Sequence, residues 1–165
     1  MHHSQIYRAS AITTLLAVLS AGSPALGEDD EKDQDLPLEG KTETLTFSTD
    51  EGSWLSIDIT PDGQTLVFDL LGDLYSLPIR GGTANRITSG LGYDSQPAIS
   101  PDGETITFVS DRDGAWNLWV ANIDGTGARK ISDETQWGII SPEWTPDGDY
   151  IVVTKTAAQT EMTIY

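Results

Sequence analysis

The chain of 165 residues carries nine Lys and Arg residues against 26 Asp and Glu residues, which gives a formal net charge of −17. So acidic a surface repels nucleic acid, and we expect no nucleic-acid partner. The absence of cysteine excludes disulfides, thiolate metal sites and a cysteine nucleophile, and the only histidines are His2 and His3.

The first 27 residues have the order of a secretory signal peptide. Arg8 precedes an apolar run over residues 9–21, and Ala25-Leu26-Gly27 places small residues at the positions that signal peptidase reads. The run is too short for a membrane-spanning helix, which needs about 20 residues. The sequence therefore predicts export to the periplasm or the medium, with no membrane attachment after cleavage. The alternative is an amphipathic N-terminal helix.

Residues 28–40 are predicted to be an acidic, disordered spacer. Residues 28–35 read Glu-Asp-Asp-Glu-Lys-Asp-Gln-Asp and contain no apolar side chain. Dense like charge keeps such a segment solvated. A calcium-binding acidic tail is the alternative, but no ordered loop would hold its ligands.

A turn motif then recurs three times, at spacings of 40 and 45 residues. In each copy Ser or Thr is followed by Pro, which fixes φ, by Asp, which can bond its own backbone, and by Gly, which supplies positive φ. We define this repeat turn signature by its nine residues: Pro61, Asp62, Gly63, Pro101, Asp102, Gly103, Pro146, Asp147 and Gly148.

A β-rich run follows each turn, and a second hairpin then ends in an aliphatic-aromatic pair: Leu74-Tyr75, Leu118-Trp119 and Ile164-Tyr165. Four short strands in a period of 40 to 45 residues are typical of a β-propeller blade. We predict an all-β chain of four-stranded antiparallel blades in an incomplete ring, with two full blades and most of a third. The partial propeller spans 41–165, with blades at 54–89, 94–132 and 139–165.

Residues 45–48 (Leu-Thr-Phe-Ser) have the spacing of a fourth strand before the first turn. We expect them to pair with the last blade and close the ring; the alternative is an edge strand of blade one. A free propeller needs about four to eight blades, and Tyr165 falls inside the third. The expected partners are therefore the missing C-terminal blades and a catalytic domain of the same protein.

The central unit carries a family resemblance. It combines Ser-Pro-Asp-Gly (100–103), Phe-Val-Ser-Asp-Arg-Asp-Gly (108–114), Asn-Leu-Trp (117–119) and Asp-Gly-Thr-Gly-Ala-Arg-Lys-Ile-Ser (124–132). This pattern resembles the repeats of TolB, the periplasmic Tol-system protein. The resemblance covers residues 54–165 and specifies the repeat type rather than a function. Similar blades occur in prolyl-oligopeptidase-like and tricorn-like peptidases and at the N-termini of large exported amidohydrolases.

Two features favour the amidohydrolases: the chain has no α/β domain ahead of its blades, and residues 36–75 resemble the start of those enzymes. The resemblance implies a non-catalytic N-terminal propeller of an exported multidomain hydrolase, a metal-dependent amidohydrolase whose missing catalytic domain would hold a divalent metal such as zinc. One alternative is a TolB-like scaffold that binds a periplasmic protein. The other is the propeller of a prolyl-oligopeptidase-like peptidase.

No catalytic, cofactor-binding or metal-binding residue is predicted in this segment. With no histidine after His3, neither a histidine-rich metal centre nor a Ser-His-Asp triad can form. Residues 111–114 (Asp-Arg-Asp-Gly) suggest a metal loop but are predicted to be a hairpin turn, because a calcium loop needs further spaced ligands. Trp119 and Trp144 are predicted to be core residues. The candidate contact aromatics, which do not recur between blades, are Trp54, Trp116 and Trp137.

Overall fold

The computed structural model describes residue 43 and residues 45–136, 138–156 and 161–165. The predicted signal peptide (1–27), the predicted spacer (28–40) and Trp137 lie outside the described residues. Within the described ranges the chain forms strands and no helix, so no helix there could cross a membrane. The strands are β1 (Ile57–Ile59), β2 (Thr65–Leu70), β3 (Asp73–Pro78), β4 (Asn85–Arg86), β5 (Asp94–Ile99), β6 (Thr105–Ser110), β7 (Asn117–Asn122), β8 (Arg129–Lys130), β9 (Ile139–Trp144), β10 (Ile151–Lys155) and β11 (Glu161–Ile164).

The strands form three antiparallel sheets in which each strand pairs with its neighbour in sequence. Blade one is β1–β4, blade two is β5–β8 and blade three is β9–β11. All-β architecture with four-stranded meandering sheets confirms the predicted fold class. The three sheets fall within the predicted ranges 54–89, 94–132 and 139–165.

Two apolar clusters join neighbouring blades. Side chains alternate across each strand, so blade two presents one apolar face to blade one and the other to blade three. Between blades one and two, Val67 and Leu74 pack with Ile106, Phe108 and Trp119. The second cluster lies between blades two and three and consists of Val109, Leu118, Val120, Ile139, Ile151 and Val153. Burial of apolar side chains such as these contributes about 1.5–3 kcal/mol each.

Residues 45–48 form no strand in the structure, and Leu45 and Phe47 are exposed. The edge strands of blade one are β1 and β4, which pair, among the described strands, only with β2 and β3 respectively. The alternative that residues 45–48 are an edge strand of blade one is therefore wrong. Their pairing with a last blade stays a prediction.

The ladder of blade three corrects one predicted equivalence. Phe68 pairs with Tyr75 and Phe108 with Trp119, yet the corresponding Val153 pairs with Thr163. Tyr165 exchanges backbone hydrogen bonds with Ile151 instead and packs against the second cluster. The aliphatic-aromatic pattern placed Tyr165 two residues out of register, because the pattern does not fix the length of the preceding hairpin.

Candidate functional site

The three signature turns share one pattern of hydrogen bonds. In blade two, the Ser100 hydroxyl donates to the Asp102 carboxylate at 2.5 Å and accepts from the Thr105 N–H at 3.0 Å. The same carboxylate accepts from the Glu104 N–H at 3.0 Å, and Gly103 adopts a φ of 76° that favours glycine. Thr60 with Asp62 and Thr145 with Asp147 repeat these contacts in the other blades.

The hydroxyl hydrogen bond at each turn lowers the pKa of the aspartate below its usual value, and the backbone N–H of the residue two positions further along lowers it again. The three aspartates, Asp62, Asp102 and Asp147, are therefore charged at neutral pH. Their hydrogen bonds are local to each turn, so the acidic residues serve turn geometry.

Consecutive turns also meet across the blade interfaces. Gly103 packs against Pro61 of the preceding blade, so that a side-chain methyl group at Gly103 would lie 3.2 Å from the Pro61 Cδ. Gly148 packs against Pro101 in the same way, and the corresponding distance is 3.7 Å. A cleft of about 230 Å³ between the second and third turns is lined by Ser100, Pro101, Asp102, Thr105, Trp144, Asp147 and Gly148. The structure thus brings the signature residues of adjacent blades together in pairs.

Hydrogen bonds from backbone N–H groups to side chains join blade one to blade two and blade two to blade three. The Asp69 carboxylate accepts from the Ser56 N–H and from the Gln96 N–H, both at 2.9 Å. The Gln96 side-chain oxygen then accepts from the Ser141 N–H at 2.6 Å. Gln96 and Ser141 have φ values of 55° and 51°, which turns their N–H groups out of the ladder. Sequence analysis missed these residues, although Asp69 breaks the apolar pattern where blade two has Val109.

A partly buried ion-pair group lies at the start of blade two. The Arg112 guanidinium is 2.6 Å from the fully buried Asp94 carboxylate and lies over the rings of Phe108 and Trp119, at 5.3 and 5.0 Å from their centroids. Nearby, burial raises the pKa of Asp73, and its hydrogen bond to Arg86 at 2.7 Å only partly offsets this rise. The two ion pairs lie close together near the interface of blades one and two.

The predicted hairpin turn at residues 111–114 is confirmed. The Gly114 N–H donates to the Asp111 carbonyl at 2.7 Å, and the turn joins β6 to β7. Asp111 accepts from the Tyr93 N–H, and Asp113 pairs with Lys130 at 2.8 Å. Each carboxylate thus has a structural partner. Within the described ranges, no group of three or more His, Cys, Asp or Glu side chains could hold a metal ion.

The candidate contact tryptophans occupy different places. Trp54 is fully exposed at a φ of 59°, and Trp116 is 41% exposed and stands edge-to-face with Tyr93 at 5.8 Å. Trp119 is buried, and the Trp144 indole N–H donates to the Ala98 carbonyl at 3.2 Å across blades two and three. Both therefore belong to the blade interfaces, as predicted.

Tyr93 was not predicted as a contact residue, yet it is 51% exposed beside Trp116. Gly72 packs against the Tyr93 ring, so that a side-chain methyl group at Gly72 would lie 3.2 Å from the ring. The neighbouring Leu71 is exposed. We call Leu71, Tyr93 and Trp116 the aromatic end surface, because the connections that carry them leave the same end of the sheets. In the sequence, the position of Tyr93 between Gly92 and strand β5 was the signal that could have identified it as a contact residue. These three side chains leave an exposed, largely apolar surface at that end.

Comparisons with known proteins agree with this geometry. Residues 57–164 match the family described as the Tricorn protease N-terminal beta propeller domain. Uncharacterized protein Atu1656 of Agrobacterium fabrum is 33% identical over 121 residues, which cover 71% of this chain and 40% of that protein. Tricorn protease homolog 1 of Streptomyces coelicolor is 35% identical over 91 residues, covering 53% of this chain and 8% of the homolog.

The solved structure of a putative TolB from Agrobacterium tumefaciens superposes with a TM-score of 0.62 at 26% identity, covering 69% of this chain and 46% of that one. The chain thus spans less than half the length of each relative. Neither the family nor these relatives are described as amidohydrolases, so that part of the resemblance stays a prediction. Because the matched residues make up more than half of its length, the chain belongs to the Tricorn protease N-terminal β-propeller family.

Proposed function

We propose that this chain is a non-catalytic propeller segment of an exported multidomain hydrolase, and that the hydrolase is a peptidase. The observation that carries the proposal is the match of residues 57–164 to a propeller domain named for a protease. The relative from Streptomyces coelicolor, itself named a Tricorn protease homolog, supports it. The peptidase was an alternative in the sequence analysis, and the family match favours it over the amidohydrolase.

The chemistry of the described residues fits a role in contact rather than catalysis. The serines that the structure describes have no histidine base, since the only histidines are His2 and His3. The aspartates of the turns are committed to local hydrogen bonds. The aromatic end surface would contact the catalytic domain, and the nucleophile and its base would come from that domain.

Export is part of the proposal. The N-terminal 27 residues have the order of a signal peptide, and the likeness to a putative TolB supports an exported protein. We propose the periplasm or the medium as the location.

A TolB-like scaffold for an exported protein partner is the second candidate, and one observation favours it. The putative TolB structure superposes on this chain with a TM-score of 0.62 at 26% identity, so the blades are similar to those of a protein named for the Tol system. A scaffold would use the aromatic end surface for its partner and would need no catalytic domain.

The test is to determine the open reading frame around the codon for Tyr165 and to assay the purified native product. We expect a downstream α/β-hydrolase domain with a Gly-x-Ser-x-Gly elbow, labelling by a serine-directed fluorophosphonate, and loss of labelling when that serine becomes alanine. A His-x-His barrel whose activity chelators abolish would assign the amidohydrolase instead. A frame that ends after its last blade, with no labelling, would support the scaffold.

A further inference from the structure

Two exposed aromatic rings form a corner on the aromatic end surface. The Tyr93 ring comes from the connection between β4 and β5, and the Trp116 ring comes from the connection between β6 and β7. Their planes stand at 72° to each other, and their centroids are 5.8 Å apart. About half of each side chain is exposed, so parts of both rings are accessible to one ligand group.

Glycines of the neighbouring blades hold the two rings in place. Gly72 of blade one packs against the Tyr93 ring. On the other side, Gly138, which directly precedes β9 of blade three, packs against Trp116, so that a methyl group at Gly138 would lie 3.1 Å from the Trp116 Cβ. The pair is thus confined between two backbone segments. A ligand that binds it has little side-chain motion to arrest, which reduces the entropy cost of binding.

A carboxylate adjoins the corner. One oxygen of Asp111 accepts from the Tyr93 N–H at 2.7 Å, and no described residue donates to its other oxygen. The cation next to it in sequence, Arg112, is already paired with the buried Asp94 at 2.6 Å. Asp111 therefore forms no salt bridge within the described ranges, and it places a negative charge that no cation neutralises beside the two rings.

We propose that Tyr93, Trp116 and Asp111, which we call the aromatic corner, bind the ammonium group of a lysine side chain on a partner protein segment. A cation is attracted to the face of Trp or Tyr when it lies within about 6 Å of the ring centroid. Centroids 5.8 Å apart allow one ammonium to lie that close to both rings, and the Asp111 carboxylate adds Coulombic attraction. The compact ammonium of lysine suits a corner, whereas the planar guanidinium of arginine suits stacking on one ring.

The openness of the corner favours a lysine on a protein over a free small ammonium compound. Sites for small molecules bury most of their ligand, whereas Tyr93 and Trp116 both remain exposed. A protein segment would add apolar contact with the exposed Leu71, and the net charge of −17 would attract a cationic segment. The inference goes beyond the proposed function and does not depend on it, because a lysine on a catalytic domain or on the partner of a scaffold would satisfy it.

A pair of capped tripeptides tests the site on the full chain. In an NMR titration, acetyl-Leu-Lys-Leu-amide should shift the Trp116 indole N–H, and ring currents should move the lysine ε-methylene protons upfield. The matched acetyl-Leu-norleucine-Leu-amide lacks only the ammonium group and should bind about fivefold more weakly. Raising the salt concentration from about 0.05 to about 0.5 M should weaken binding of the lysine peptide and leave binding of the norleucine peptide unchanged.

Substitutions separate the contribution of the rings from that of the charge. Tyr93→Leu and Trp116→Leu keep an apolar side chain but remove a ring, so each should weaken binding of the lysine peptide about two- to fivefold, measured on the peptide protons. Asp111→Asn keeps an acceptor for the Tyr93 N–H but removes the charge. It should lower the affinity for the lysine peptide and its salt dependence without affecting the norleucine peptide. The control is Tyr150→Leu, which removes an exposed tyrosine at the opposite end of the sheets and should leave both affinities unchanged.

Three results would overturn the proposal. The first is equal affinity for the lysine and norleucine peptides, or binding of neither, because the ammonium group would then not be recognised. The second is unchanged affinity for the lysine peptide in Tyr93→Leu and Trp116→Leu while circular dichroism shows both variants folded. The third is binding of tetramethylammonium chloride at the corner as tightly as the lysine peptide, which would assign the site to a small quaternary ammonium compound.

Discussion

Asp69 offers the sharpest perturbation of the blade interfaces. Its buried carboxylate accepts from two backbone N–H groups, one in its own blade and one in the next, each at 2.9 Å. A hydrogen bond to a charged group contributes about 1.5–3 kcal/mol, and a donor left unpaired costs about as much. Since both donors are only partly buried, we expect Asp69→Ala to lower the free energy of unfolding by about 2–4 kcal/mol.

The asparagine variant separates the two bonds. An amide has one acceptor oxygen, so Asp69→Asn keeps one bond and should lose about half as much, about 1–2 kcal/mol. The exposed Asp149→Ala is the control and should change stability by less than about 0.5 kcal/mol. Urea unfolding followed by circular dichroism at one fixed protein concentration measures all three.

Two results would refute this reasoning. If Asp69→Ala unfolded within about 0.5 kcal/mol of the wild type, the carboxylate would not tie the blades together. If the asparagine and alanine variants lost the same amount, the assignment of one bond to each carboxylate oxygen would be wrong.

Three further predictions concern the core and the titrating groups. Phe108→Ala should cost about 3–5 kcal/mol because its ring is fully buried. Phe68→Ala should cost only about 1–2 kcal/mol, because its ring is partly exposed on the face of blade one that points away from blade two; equal losses in urea unfolding would contradict the interface assignment. Burial raises the pKa of Asp73 in the folded protein above its ordinary value of 3.8. The contribution of Asp73 to stability therefore falls as the pH rises from 3.8 through the pKa of the folded state. Asp73→Asn should therefore gain stability relative to the wild type over that rise, and unfolding curves whose difference is independent of pH would count against it. The hydrogen bond from Ser100 lowers the pKa of Asp102 in the folded protein below its ordinary value of 3.8, so its contribution to stability is present above pH 3.8 and is lost as the pH falls through the pKa of the folded state. Asp102→Ala should therefore make the free energy of unfolding decline less steeply in acid. An unchanged slope of that free energy against pH would exclude this role.

The repeat turns made the fold predictable from the sequence. Ser or Thr, Pro, Asp and Gly determine a turn through contacts within six residues, and the structure shows those contacts in all three copies. The spacing between copies then defined four-strand units. Strand register was harder, because it depends on hairpin length, and this is why Tyr165 was placed two residues away from its true position.

Contacts between blades could be predicted only in part. The places of Trp119 and Trp144 at the blade interfaces followed from their positions in the repeat, but the hydrogen bonds that Asp69 and Gln96 make between blades did not. Those ties join residues 27 and 45 positions apart through backbone N–H groups, which the sequence does not distinguish. The contact between Tyr93 and Trp116 was not predictable either, because it forms where two separate connections converge at one end of the sheets.

The packing of one blade on the next is the central claim, and NMR of the indole N–H groups tests it most directly. The Trp144 indole donates to the Ala98 carbonyl across blades two and three, 46 residues away, while Trp54 is fully exposed. We predict nuclear Overhauser contacts from the Trp144 indole proton to Ala98, together with slow exchange with water. Exchange as fast as that of Trp54, with no contact outside blade three, would contradict the account.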